Sequence, residues 1–172
     1  MQKQKGFTLL ELLIVIGIIA ILAGVAFVAL DPLSRFRDAR DAKRWSDVTA
    51  VLSSIKIDQV DNRGPYIYGV NFDATAAATV AGNAYQISNA STTVACNTSC
   101  SVVDQTVAGA NDCVNLSGLA TEGYLSTLPV NPNGSGSWSS ALTGYYMRKN
   151  TNGSIVIGSC DAESPSTISV QR

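Results

Sequence analysis

The chain has 172 residues, with twelve basic and thirteen acidic side chains for a formal net charge of −1, 46% apolar residues, and no histidine. The lack of histidine excludes the Ser-His-Asp and Cys-His catalytic arrangements and every histidine-ligated metal site. The near-neutral balance gives a polyanionic partner such as nucleic acid no electrostatic reason to bind.

The first element is the run KGFTLLELLIVIGIIAILAGVAFVAL, Lys5 to Leu30, in which Glu11 is the lone carboxylate. From Leu12 to Leu30 all nineteen residues are apolar or glycine, which at about 1.5 Å of helical rise each nearly matches the roughly 30 Å of bilayer hydrocarbon. A membrane-crossing helix is predicted. An ionised side chain costs roughly 2.5–3.5 kcal/mol near the bilayer centre and less at its edge, so Glu11 needs a partner or a headgroup contact. A secretory signal peptide shares the basic start at Lys3 and Lys5, but its apolar stretch of about 7–15 residues is shorter and ends in an A-x-A-like site. A plain single-pass anchor explains the length and the basic flank. Neither it nor simple snorkelling of Glu11 to the headgroups accounts for Gly6-Phe7.

The segment KGFTLLELLIVIGIIAILA resembles the N-terminal motif of type IV pilins and of the pseudopilins of type II secretion systems. The likeness lies in a short basic leader ending in Gly6, an aromatic Phe7 straight after it, then Thr8, Leu9, Leu10 and Glu11 ahead of a long apolar helix. It implies that a prepilin peptidase cuts between Gly6 and Phe7 and methylates the new amine. It also implies that Glu11 of an incoming subunit meets the Phe7 amine of a neighbour, fixing axial register during filament assembly. The spacing suits that chemistry, because four residues is about one helical turn and brings ammonium and carboxylate to one depth in an apolar medium. Such a buried pair secures specificity more reliably than net stability.

Gly17 and Gly24 fall on nearly one helical face with Ala20 and Ala23 close by, a composition that permits close packing between membrane helices. Pro32 is expected to kink the helix or begin a new one just after Leu30, with Asp31 as a cap. Beyond Ser34 the chain becomes densely charged, with Arg37 to Asp41 and Lys43 to Asp47 at the four-residue spacing of helical ion pairs. Trp45, Val48, Leu52 and Ile55 form an apolar stripe facing a core. Arg35, Arg37, Arg40, Lys43 and Arg44 alternate with Asp38, Asp41 and Asp47, so this face is expected to be solvated or inter-subunit and not a nucleic-acid surface. A helix from Phe7 to about Asp61 would be roughly 80 Å long, and Asn62, Gly64 and Pro65 end it.

The remainder is poor in charge and rich in Ser, Thr, Asn, Gly and Ala, which predicts strands and loops. Cys113 to Leu128 is expected to hold a short helix or turn, and Pro129 and Pro132 exclude a continuous helix or central strand after it. Tyr145 to Arg148 and Ile155 to Ile157 flank Asn152-Gly153, the signature of a tight antiparallel hairpin. Cys96, Cys100, Cys113 and Cys160 allow three disulfide connectivities. The preferred one pairs Cys96 with Cys100 across CNTSC and Cys113 with Cys160, tying the hairpin to the head. Zinc at CNTSC is disfavoured in an oxidising compartment. Calcium near Asn131 and Asn133, with Asp161 and Glu163 the nearby acids, is a minor option. The other head acids, Asp73, Asp104, Asp112 and Glu122, show no catalytic spacing.

These readings converge on an α+β fold, with a long N-terminal α-helix, transmembrane then amphipathic, packed against a small antiparallel β-sheet head in the pilin-like ladle that the resemblance implies. The divisions are a leader at 1–6, a transmembrane and filament-core helix at 7–30, an amphipathic helix at 31–62 and an extracytoplasmic head at 63–172. The expected function is a structural, non-enzymatic filament subunit without a cofactor or metal. Its partners would be other pilin subunits, prepilin peptidase, an inner-membrane assembly platform and membrane lipid. It would reside in the inner membrane with its head outside, then in an extracellular or periplasmic filament. The rival is a monomeric, membrane-anchored extracellular binding domain.

Overall fold

The computed structural model describes residues 6–62, 84–89, 100, 102, 113–132, 137–163 and 167–172. The chain divides into two units, Met1–Phe36 and Arg37–Arg172. The fold class is α+β, an apolar N-terminal helical run followed by a small five-stranded sheet.

The first unit is dominated by helix α1, Leu9–Leu30, none of whose residues is buried. Its composition and length suffice to cross a membrane. Helical residues run from Leu9 to Asp61 with one interruption, at Asp31, and a new helix begins at Pro32, one of the two outcomes expected there. Asp31 adopts the left-handed conformation (φ 35°, ψ 72°), and α2, Pro32–Asp61, starts at the proline. Pro32 has no N–H to continue the ladder, yet its fixed φ suits a first helical position. The Ser34 hydroxyl donates to the Asp31 carbonyl (2.9 Å) across the first turn of α2.

In the second unit, α2 buries Val48, Val51, Leu52 and Ile55 against Tyr85, Ile87, Val114, Leu116, Leu119, Tyr145, Met147 and Ile157. Val48, Leu52 and Ile55 are the expected stripe. Trp45 is not part of it: 43% of its surface is exposed. The buried face instead runs through Asp41, Arg44, Asp47, Ser54 and Asp58, and Trp45 lies about 100° around the helix from Arg44.

The sheet has strands β1 Ala84–Ser88, β2 Cys113–Asn115, β3 Tyr145–Lys149, β4 Ile155–Ser159 and β5 Ser169–Gln171, in the order β2-β1-β3-β4-β5. Three of its pairings are antiparallel, but β1 and β2 run parallel, with Ile87 opposite Val114, so the sheet is mixed and not wholly antiparallel. The stretch 89–112 is long enough for the crossover that a parallel neighbour requires. The helix expected after Cys113 is α3, Ser117–Thr121. The expected hairpin is β3–β4, with Met147 opposite Ile157. Its connection is longer than a two-residue turn: the Asn150 N–H donates to the Ser154 carbonyl (2.8 Å) and Gly153 takes a positive φ of 82°. One sheet face meets α2; on the other, Ala84, Cys100 and Tyr146 are buried together with Cys160 against them.

Candidate functional site

The residues expected to be processed and to direct assembly lie at the start of the first unit. Gly6, Phe7 and Thr8 are not helical, and helix α1 begins at Leu9. Thr8 is its N-cap with extended backbone (φ −80°, ψ 152°). The Glu11 N–H donates to Thr8 Oγ1 (3.2 Å), while the Thr8 N–H and hydroxyl both donate to Glu11 Oε2 (2.9 and 2.8 Å). This reciprocal capping box serves orphan donors of the first turn, worth about 1 kcal/mol in water and more in a medium that offers no alternative partner. The partner that Glu11 required is therefore, within one chain, Thr8. The box also sets where the helix begins. The Gly6–Phe7 peptide is left outside the helix, and Phe7 is 88% exposed.

Residues 1–27 match the prokaryotic N-terminal methylation motif. The methylation motif is the prepilin signature of type IV pilins and pseudopilins, and it implies processing by a prepilin peptidase. Proteins of that signature are structural rather than enzymatic. No curated protein and no solved structure matches the chain. Farther along α1 from the methylation motif's charged start, a Cβ built on Gly17 or Gly24 meets nothing within 4 Å. Packing inside this chain therefore does not demand glycine at either position.

The remaining candidates lie in the second unit. Cys100 pairs with Cys160 (S–S 2.05 Å), which overturns both preferred pairings. Cys100 and Cys160 meet beneath the same sheet face, beside Ala84 and Tyr146, a proximity that chain spacing does not reveal. Cys113 is also disulfide-bonded, and Cys96 lies outside the described residues.

The charged run of α2 departs most from expectation. Arg35 and Arg37 are exposed, but Arg44 is 0% exposed and Asp41 and Asp47 are buried. Arg44 Nη1 donates to Asp41 Oδ1 (2.7 Å), and Lys43 pairs with Asp47. The buried Tyr145 hydroxyl donates to Asp47 Oδ2 (2.7 Å). Burial, then that bond to a carboxylate, pushes the Tyr145 hydroxyl above its usual range. Arg40 forks the Glu163 carboxylate, and Arg44 Nη2 reaches Glu163 Oε1 (3.0 Å). Arg40 first, then Arg44, hold Glu163 down to about pKa 2 against the opposing effect of burial. The run is thus divided: Arg35, Arg37, Asp38 and Lys43 are exposed as expected, whereas Asp41, Arg44 and Asp47 are internal.

The three described positions considered for calcium also have protein partners. Asn131 Oδ1 accepts from Arg44 Nε (2.7 Å), Asp161 Oδ2 accepts from Trp138 Nε1 (2.7 Å), and Glu163 takes both arginines. Asn133, Asp73, Asp104 and Asp112 lie outside the described residues.

Proposed function

We propose that the chain is a structural subunit of a type IV pilus-like or type II secretion pseudopilus filament, made as a membrane-anchored precursor and joined to its neighbours through its N-terminal helix. The observation that supports this most is the methylation motif at residues 1–27 coinciding with a helix whose cap leaves Gly6–Phe7 non-helical and exposed. A peptidase acts on a peptide that can enter its cleft, and a helical peptide must first unwind. In this reading residues 1–6 are the leader, cleavage follows Gly6, and the new Phe7 amine is methylated.

After cleavage the Phe7 ammonium adjoins Thr8, whose bonds to Glu11 both land on Oε2. Glu11 Oε1 then takes the ammonium of a neighbouring copy, and each charge is neutralised where water is absent. Gly17 and Gly24, with open space at each absent Cβ, let neighbouring α1 helices approach closely. The inner membrane holds the subunit first; an assembly platform then draws it into the filament with the second unit outside.

Expression with and without an active prepilin peptidase, followed by intact-mass measurement of the membrane-extracted protein, tests the reading. Loss of residues 1–6 with gain of one methyl group, only when the peptidase is active, is expected. An unchanged precursor in both cases would instead favour a permanent single-pass anchor.

A further inference from the structure

Four oxygen atoms converge on one buried guanidinium in the second unit. Arg44, 0% exposed, donates from Nε to Asn131 Oδ1 (2.7 Å), from Nη1 to Asp41 Oδ1 (2.7 Å), and from Nη2 to the Pro132 carbonyl (3.1 Å) and Glu163 Oε1 (3.0 Å). The acceptors come from α2, from the 131–132 segment and from the segment after β4, so the guanidinium joins three parts of the head that are distant in sequence.

Three of these oxygens have supports of their own. Asn131 Nδ2 donates to the Gly144 carbonyl (3.0 Å) and to Ser159 Oγ (2.8 Å), and the Asn131 N–H donates to the Thr143 carbonyl (2.8 Å). The Glu163 N–H donates to Asp41 Oδ1 (3.2 Å), and Arg40 grips the Glu163 carboxylate independently of Arg44. None of those bonds involves Arg44, so each of the three acceptors has a hold that is independent of the guanidinium. Charge is balanced as well, with Arg40 and Arg44 facing Asp41 and Glu163. A set of carboxylate, amide and carbonyl oxygens serves cations in general. Contact with Nε, Nη1 and Nη2 at once calls for a planar fork.

We propose that these four oxygens form a preorganised cation cage in which the Arg44 side chain is the built-in cation, and that the cage emptied of it binds free guanidinium ion. The head is then closed by a cation that no chelator can remove.

The test uses the full-length chain in detergent with its disulfides intact, followed by tryptophan fluorescence on heating. Arg44→Ala should lower the midpoint by about 10 °C, since it takes the Arg44 cation away from buried Asp41 and removes one of the two arginines that hold Glu163. Guanidinium chloride at about 20 mM, compared with equal sodium chloride, should restore about 3 °C or more in the variant by occupying the site, with no gain in the parent. Equal midpoints in the two salts would overturn the proposal. If Arg44→Ala does not fold, Arg44→Lys keeps the charge but lacks the fork, and it should still melt several degrees below the parent; parental stability would count against a guanidinium-shaped cage. EDTA should leave the parent's midpoint unchanged, and a fall would show that a bound metal, not Arg44, holds this region closed.

Discussion

Replacing Glu163 by glutamine preserves the side chain's shape and removes its charge. The carboxyl is held at about 2 against its ordinary 4.5, by Arg40 first and Arg44 second. At about 1.36 kcal/mol per pH unit the difference corresponds to roughly 3 kcal/mol. The carboxylate is 13% and its Arg40 partner 33% exposed, so solvent screening reduces the expected cost to about 2 kcal/mol. For a unit of this size that is a fall of roughly 6–8 °C in melting midpoint. Because the folded-state pKa is depressed, the stabilisation is fully present above the ordinary value of 4.5 and is lost as pH falls towards about 2. Thermal unfolding of parent and Glu163→Gln, followed by tryptophan fluorescence between pH 7 and pH 2, should show a gap that is constant above about pH 5, narrows below it and closes near pH 2. A gap of constant size across that range, or none at pH 7, would refute the assignment of Glu163 as a charged clamp on α2.

Gly158→Ala places a methyl group in the ring and hydroxyl of Tyr146; calorimetry should show a loss of about 1–3 kcal/mol, the range for overpacking. Cys160→Ser opens the 60-residue link to Cys100 and should cost about 4 kcal/mol in denaturant titration on the chain-entropy view. A non-reducing peptide map of the parent should contain the Cys100–Cys160 cross-link. Glu11→Ala should be processed and inserted normally by immunoblot of membrane fractions, yet be absent from sheared filaments.

The segment up to Pro32 was legible because its information is local. Apolar length reports a spanning helix, Gly6-Phe7 and Glu11 are contiguous, and Pro32 punctuates at the point where α1 ends. The Thr8–Glu11 box is absent from the sequence reading, although Thr-x-x-Glu ahead of an apolar run is the helix-start signature that signals it. The hairpin was found from Asn152-Gly153 and the flanking apolar residues, although loop length was misjudged. What stayed hidden depends on contacts between distant residues. Arg44, Asp41 and Asp47 have the spacing of an exposed charged helix, and only partners 87 and 119 residues away, Asn131 and Glu163, make that charged face an interior one. The same holds for Cys100 and Cys160, and for the parallel pairing of β1 with β2, which local pattern does not encode.

The central claim is that the Phe7 amine and Glu11 meet between adjacent copies. A density map of the mature filament at side-chain resolution tests it most directly. The account predicts the Glu11 carboxylate within ion-pair reach, about 4 Å or less, of a neighbouring copy's methylated Phe7 amine. A map showing Glu11 turned to solvent or lipid, with the nearest Phe7 amine well beyond that distance, would contradict it.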